Sequence, residues 1–341
     1  MVGQINDQLQ MMDNQTDNFT SLPQPTSAEA STPLSPAVLA LRTTLITLIA
    51  IFIVVGDVFS IVVVRRIKDL AESSKILMIS LASNDLLVGL YAIPTIVASA
   101  LDHWPFGSIV CSIQGFVALT SVTLSVCLIC LLNLERYVAV THPFRFQVWF
   151  QRRNVLAAVT VAAILCIALV VIRIWLIMPM SYIPASVLCI GEHGTAVLEI
   201  TLTVVVAVAP VVIMVFIYLR LIHISRQHAR KIQAQVGGQR GVQKAARSLG
   251  PDTKAVRTFL VVTVCFALCW MPIQGSRAYA AVSGSSLPNW LVFVTTWLAA
   301  SNSFFNVCIY YVFNASFRSE ARRALNRLRC GKCSSVGPVE A

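Results

Sequence analysis

The sequence predicts an all-α membrane protein: a bundle of seven membrane-crossing helices followed by a short amphipathic eighth helix. Three observations carry that prediction. Of 341 residues, 57% are hydrophobic and 12% charged, with a mean hydropathy of +0.75, whereas soluble domains carry about 25% charged residues. Apolar runs lie at 39–64, 76–101, 110–134, 154–180, 197–222, 257–282 and 290–313. Each is long enough, at about 1.5 Å per residue, to cross about 30 Å of hydrocarbon as a helix, the form that satisfies its own backbone. The basic residues, 26 in all, collect in alternate connections.

Residues 1–37 are polar and rich in Ser, Thr and Pro, and are expected to form a disordered extracellular tail. Acceptor sequons at Asn14 and Asn18 suit that position. The first fifteen residues have neither the basic stretch nor the apolar core of a cleavable signal, so the first span is expected to serve as its own insertion signal. Residues 38–314 form the bundle. Within it the connections 102–109, 181–196 and 283–289 hold no Lys or Arg, while the others carry Arg65, Arg66 and Lys68, then Arg145, Arg152 and Arg153, then a cluster from Arg220 to Arg257. The basic tail runs from Arg318 to Lys332. The N-terminus is therefore expected outside and the C-terminus in the cytoplasm, at the plasma membrane. The formal charge of +11 points to membrane lipids or an acidic cytoplasmic partner and away from nucleic acid.

Pro94, Pro210 and Pro272 interrupt otherwise continuous apolar sequence and mark places where helices can kink. Residues 315–329 place Phe317, Ala321, Leu325 and Leu328 at three- and four-residue intervals with arginines between, as expected of a helix lying on a membrane surface. Residues 330–341 form a cytoplasmic tail. Its Cys330 and Cys333 are either palmitoylated or free thiols. Cys111 and Cys189 fall at the outer surface, where an oxidising compartment and a single available pairing predict a disulfide.

A charged side chain at mid-span costs roughly 2.5–3.5 kcal/mol on insertion scales, so Asp57, Asp85, Glu135, Arg136 and Arg173 each need a reason. Asp85 stands near the middle of its span. Ser125, Asn302, Ser303 and Asn306 offer oxygens at comparable depth. Two readings stand open: a small hard cation such as sodium, or a protonated Asp85 in a hydrogen-bond network.

These residues resemble the motifs of one family, the rhodopsin-like (class A) G protein-coupled receptors, over about 42–329. Glu135-Arg136-Tyr137 resembles its Asp/Glu-Arg-Tyr, Leu81-Ala82-x-x-Asp85 its helix-two motif, and Cys269-Trp270-Met271-Pro272 its Cys-Trp-x-Pro. Pro210 with Tyr218 is similar to the helix-five pattern. Cys111 stands 25 residues before Arg136, where the family's disulfide requires it, and Phe317-Arg318 opens the eighth helix. The resemblance implies a role for each. Arg136 is restrained by Glu135 and by an acid at the base of the sixth helix, here Asp252. On activation that helix swings outward and Arg136 meets a heterotrimeric G protein, with Tyr218 and Tyr310 steadying the open state. Phe266, Trp270, Pro272 and Asn306 relay ligand contact to the swing. Asp85, Ser125, Asn302 and Asn306 match an allosteric sodium site, and arrestin and receptor kinases are further partners.

Three departures stand out. The Asn-Pro-x-x-Tyr of the seventh helix is Asn306-Val307-Cys308-Ile309-Tyr310, without its proline. The first helix has Gly56-Asp57 in place of Gly-Asn, which sets a second acid near Asp85, and two close carboxylates do not both ionise readily. Span four lacks a tryptophan at mid-depth, Trp175 lying near its outer end.

The motif style is nearest to amine-type receptors, yet their amine-binding aspartate is replaced by Ala118, one turn above Val122. A protonated amine loses its charge-assisted partner there. Gln114, Ala118, Leu119, Val122, Thr203, Gln274, Arg277 and Thr296 are the candidate pocket for an extracellular small molecule. Arg277 either clamps a carboxylate or phosphate or snorkels to headgroups. Residues 290–313 contain no lysine for a retinal Schiff base, and no enzyme chemistry is expected. Two alternatives to an agonist-driven receptor are a constitutively active or modifier receptor-like protein and, more remotely, an ion-coupled transporter. The transporter reading calls for internal repeats with paired broken helices, which the sequence does not display.

Overall fold

The computed structural model describes residues 34–176, 180–191, 239–285 and 287–330, with scattered residues between 197 and 227, and for 175–176, 239–257, 259 and 328–330 the backbone alone. The body of the molecule is Ala40–Ala341, with Met1–Leu39 a separate unit. Six helices among the described residues are long and apolar enough to cross a membrane. They belong to α1 (Pro36–Arg66), α2 (Glu72–Leu101), α3 (Gly107–Thr141), α5 (Arg152–Leu176), α7 (Gln239–Ser283) and α8 (Asn289–Phe313). The fifth expected span contributes a shorter apolar helix, α6 (Val211–Arg220); Pro210 and Thr203 lie outside the described residues. A short helix α4 (Pro143–Trp149) follows α3, with Pro143 at its start, where the missing N–H is no loss.

The helices are apolar nearly all round, as lipid solvation demands. Leu45, Ile51, Val55, Ile93, Leu165 and Leu268 stand exposed outside, while Ile46, Ile53, Leu77, Leu81, Leu128 and Leu132 fill the interior. What distinguishes the axis of the bundle is polarity: Asp57, Asn84, Asp85, Ser121, Ser125, Asn133, Glu135, Asn302 and Asn306 are all buried. In hydrocarbon such groups are tolerated when they face one another.

Between α5 and α6 the chain makes an antiparallel hairpin, β1 (Met180–Ile183) and β2 (Leu188–Gly191), in the register Met180 to Gly191 and Tyr182 to Cys189. The seven apolar runs alone give no sign of this hairpin. After α8, helix α9 (Ala315–Cys330) follows at once. Its buried face is Phe317, Ala321 and Ala324, and Leu325 is 43% exposed. Of the expected stripe, Phe317 and Ala321 pack inward, with Phe317 against Tyr310 at 5.9 Å, and the side chain of Leu328 lies outside the described residues. Cys330 ends the helix; its side chain, Cys333 and both sequons, Asn14 and Asn18, lie outside the described residues.

Candidate functional site

The polar axis divides into three clusters, built on facing turns of different helices. At the end of α3 nearest α4, Glu135 is fully buried. Its Oε1 accepts hydrogen bonds from the Ser73 and Ser74 hydroxyls, each at 2.8 Å, both from the first turn of α2. Its Oε2 faces Arg136 Nε at 3.1 Å, and Arg136 also donates to Ser74 Oγ. A buried carboxylate left alone costs several kcal/mol, so this one is held by a cation and two donors. Two residues before Glu135, Asn133 Oδ1 accepts from the Tyr218 hydroxyl at 2.7 Å, and its Nδ2 donates to Ile129 O and, at 3.4 Å, to Thr263 Oγ1. Asn133 thus joins α3, α6 and α7 through one amide. Tyr310 is buried in the same apolar cluster as Tyr218 and Phe266. Asp252 lies on α7, but its side chain is outside the described residues.

In the middle of the bundle Asp85 accepts from Asn306 Nδ2 at 2.9 Å, Ser303 Oγ at 3.1 Å and Ser125 Oγ at 3.4 Å. Asn84 fixes the α3 wall by donating to Ser121 O and Ser125 Oγ. Asn302 is buried nearby on α8. These hard oxygens, with a carboxylate among them, have the chemistry that suits a small cation. Asp57 is 1% exposed, and neither of its oxygens meets a hydrogen-bond partner among the described residues. A Cβ on the adjacent Gly56 would stand 3.5 Å from Val307 Cγ2. The residue before one departure from the family pattern, Asp57, therefore faces the other, Val307.

At the opposite end, Cys111 and Cys189 are disulfide-bonded, with 5.3 Å between their Cα atoms. Gln114 uses both ends of its amide on protein: Nε2 donates to Tyr91 O and Thr95 Oγ1, and Oε1 accepts from Cys189 N. Gly115 has no room for a side chain, since a Cβ would meet Met180 Sδ at 2.7 Å and Cys189 O at 2.9 Å. The hairpin tip drives into the bundle. Val187, fully buried, packs with Ile46, Ile49, Val88 and Trp297, and Trp297 Nε1 donates to Ser186 O at 3.1 Å. Val187 has φ of 58°, a conformation costing a β-branched residue roughly 1–2 kcal/mol, which its burial offsets.

Below this roof lie Ala118, buried, and Leu119 and Val122, half-buried. Phe266 and Trp270 stack with centroids 6.0 Å apart. Trp270 Nε1 and Thr296 Oγ1 are buried and without a hydrogen-bond partner among the described residues, a condition natural proteins rarely leave unanswered. Gln274 and Arg277 are half-buried on α7, and Arg277 is engaged in a contact of its own.

Sequence reasoning missed Ser73, Ser74, Asn84 and Asn133. It also missed Arg42 at the other end of α1, which bonds Ser99 Oγ, Ser99 O and Asp102 Oδ1 at 2.8–3.1 Å. A polar residue inside an apolar run was the available signal for Asn84 and Asn133, since each needs a partner there.

The fold and its polar axis place the chain among multi-pass helical-bundle membrane proteins. Comparison narrows that class. A family described as 7 transmembrane receptor (rhodopsin family) matches residues 56–310, and the chain belongs to it. Melatonin receptor type 1C of Gallus gallus is 30% identical over 81% of this chain and 79% of its own. The type 1C receptor of Xenopus laevis is 28% identical over 81% of this chain and 65% of its own, so the chain spans just under two thirds of that relative. Trace amine-associated receptor 8c of Mus musculus is 27% identical over 81% and 83%. The crystal structure of squid rhodopsin matches with a TM-score of 0.75 at 16% identity, covering 86% of this chain and 87% of that one, a likeness of fold. The protein is a receptor of this family and not an enzyme, which displaces the transporter alternative.

Proposed function

We propose that this receptor carries an extracellular small-molecule signal across the plasma membrane to a heterotrimeric G protein, with its N-terminus outside. The observation that supports this best is the Glu135–Arg136 latch. Ser73 and Ser74 hold the acid, and the acid and Ser74 hold the guanidinium. When Arg136 is released Glu135 keeps its two hydroxyl donors, so the buried acid is not stranded when its cation leaves. Asn133 ties α6 and α7 to α3 beside the latch. Outward movement of α7 breaks the Thr263 contact and opens the surface that a G protein would enter.

The ligand in this proposal is uncharged. Relatives named for melatonin and for trace amines bracket the choice, and Ala118 gives a cationic amine no carboxylate at the family's usual place. Trp270 Nε1 and Thr296 Oγ1 offer a neutral ligand a donor and a hydroxyl. Asp85, Ser125, Asn302 and Asn306 would hold a sodium ion, which supplies charge balance when bound. The test is a G protein activation assay in cells with Arg136→Ala as control, screening neutral indoles against amines and carboxylates. Neutral compounds should activate wild type and not the variant. Activation by amines alone would defeat the ligand assignment, and silence of every G protein family would defeat the coupling.

A further inference from the structure

A groove beside α4 is used by none of the roles above. Leu77 of α2 forms its floor, Leu131 and Leu134 of α3 one wall, Val155 and Ala158 of α5 the other, and Trp149 closes one end. Its volume, about 230 Å³, falls below the roughly 300–1,000 Å³ of sites for drug-sized molecules and suits a narrow chain. The lining is apolar apart from Asn154, whose amide is engaged by Val148 O and Trp149 O. The groove opens where Leu134 is 45% and Trp149 54% exposed, on a face that lipid solvates.

Three guanidinium groups gather at the Trp149 end. The Arg145 guanidinium stands 5.7 Å from the Trp149 ring centroid, and Arg152 and Arg153, both exposed, open α5 directly before Asn154. No acid lines the groove. Glu72, which feels the Arg152 charge, is bound to Lys75 at 2.7 Å. An apolar slot with guanidinium groups at its mouth matches a molecule with a hydrocarbon chain and an anionic head, because guanidinium pairs well with phosphate oxygens and basic clusters at helix ends attract acidic lipids.

We propose that this groove holds one acyl chain of an anionic phospholipid, with Arg145, Arg152 and Arg153 on its headgroup. The bound chain braces α4 against α3, two residues from Arg136 at Val138, which also lines the groove. The test uses the full-length receptor in zwitterionic nanodiscs doped with acyl-brominated phosphatidylserine or phosphatidylcholine. Bromine quenches tryptophan on contact, and the Trp149 signal is the difference between wild type and Trp149→Phe. Phosphatidylserine should quench it at a mole fraction at least fivefold lower than phosphatidylcholine. Ala158→Phe, which fills the slot, should abolish that quenching, with the milder Ala158→Leu serving if the Phe variant does not fold. The triple variant R145Q/R152Q/R153Q should bring phosphatidylserine to the level of phosphatidylcholine.

Equal quenching by both lipids in wild type overturns the proposal. So does quenching that survives a filled slot, or displacement of the lipid by soluble glycerophosphoserine, which has a headgroup and no chain. A shift from dimer to monomer on Ala158→Phe with lipid quenching unchanged would make the groove a surface between copies instead.

Discussion

At the latch end, Glu135 is held by two hydroxyls and a guanidinium, and Asn133 joins three helices through one amide. At the disulfide end, the hairpin is held by a covalent bond, a packed Gly115, a bidentate Gln114 and a buried valine tip. Hydrogen bonds and ion pairs of the first kind can be exchanged one for another at little net cost, since each contributes only about 0.5–1.5 kcal/mol, or roughly 1.5–3 where a charge is involved. Steric and covalent contacts of the second kind have no such substitutes. The contrast teaches how differently the two ends are held: the disulfide end by contacts that have no substitute, the latch end by contacts that do, which is what the proposed function requires of the part that moves.

The largest expected effect is at the roof. Cys189→Ser should lower stability by about 2–5 kcal/mol and remove most of the receptor from the cell surface, read by surface labelling against total protein. Normal surface levels would mean that the roof is held by packing alone. Next, Glu135→Ala removes the carboxylate that faces Arg136 and accepts from Ser73 and Ser74, and should cost about 1.5–3 kcal/mol in thermal unfolding while raising basal G protein activation several-fold. A stability loss without any rise in basal activity would make the pair structural and blur the contrast. Gly115→Val forces Met180 and the Cys189 carbonyl away and should cost about 1–3 kcal/mol, measurable as a fall in Tm with no change in basal signalling. Tyr218→Phe removes one hydrogen bond to Asn133, worth about 1 kcal/mol. It should shift the ratio of basal to stimulated signalling more than it shifts Tm, whereas the reverse would place Tyr218 on the structural side.

How much of this was legible depends on whether a residue acts within its own span. The apolar runs and the Glu135–Arg136 pair are local patterns: α1, α2, α5 and α8 lie within four residues of the expected bounds, while α3 runs on to Thr141, α7 begins at Gln239 and the fifth span is described as Val211–Arg220. Asp85 meets Ser125, Ser303 and Asn306 because three depths in sequence became one depth in space. What stayed hidden were pairings between spans. Nothing in Ser73-Ser74 announces a carboxylate 61 and 62 residues away, and Arg42 is one cation at a span end until Ser99 and Asp102 are placed beside it. Gln114 was readable as a polar side chain facing a pocket. Its engagement by Tyr91, Thr95 and Cys189 depends on a hairpin that the apolar runs do not encode.

Asp57 also has a history, set by the order in which the chain is made. An acid at the centre of a lone helix costs roughly 2.5–3.5 kcal/mol on entering the bilayer, and α1 enters first. The residue packed beside its neighbour Gly56 is Val307, on the last span to be synthesised. Through the synthesis of the intervening spans the first helix therefore carries an acid whose place in the bundle does not yet exist. Replacing Asp57 with the family's asparagine should therefore shorten the newly made receptor's stay in the membrane where it is assembled, as followed by pulse-chase.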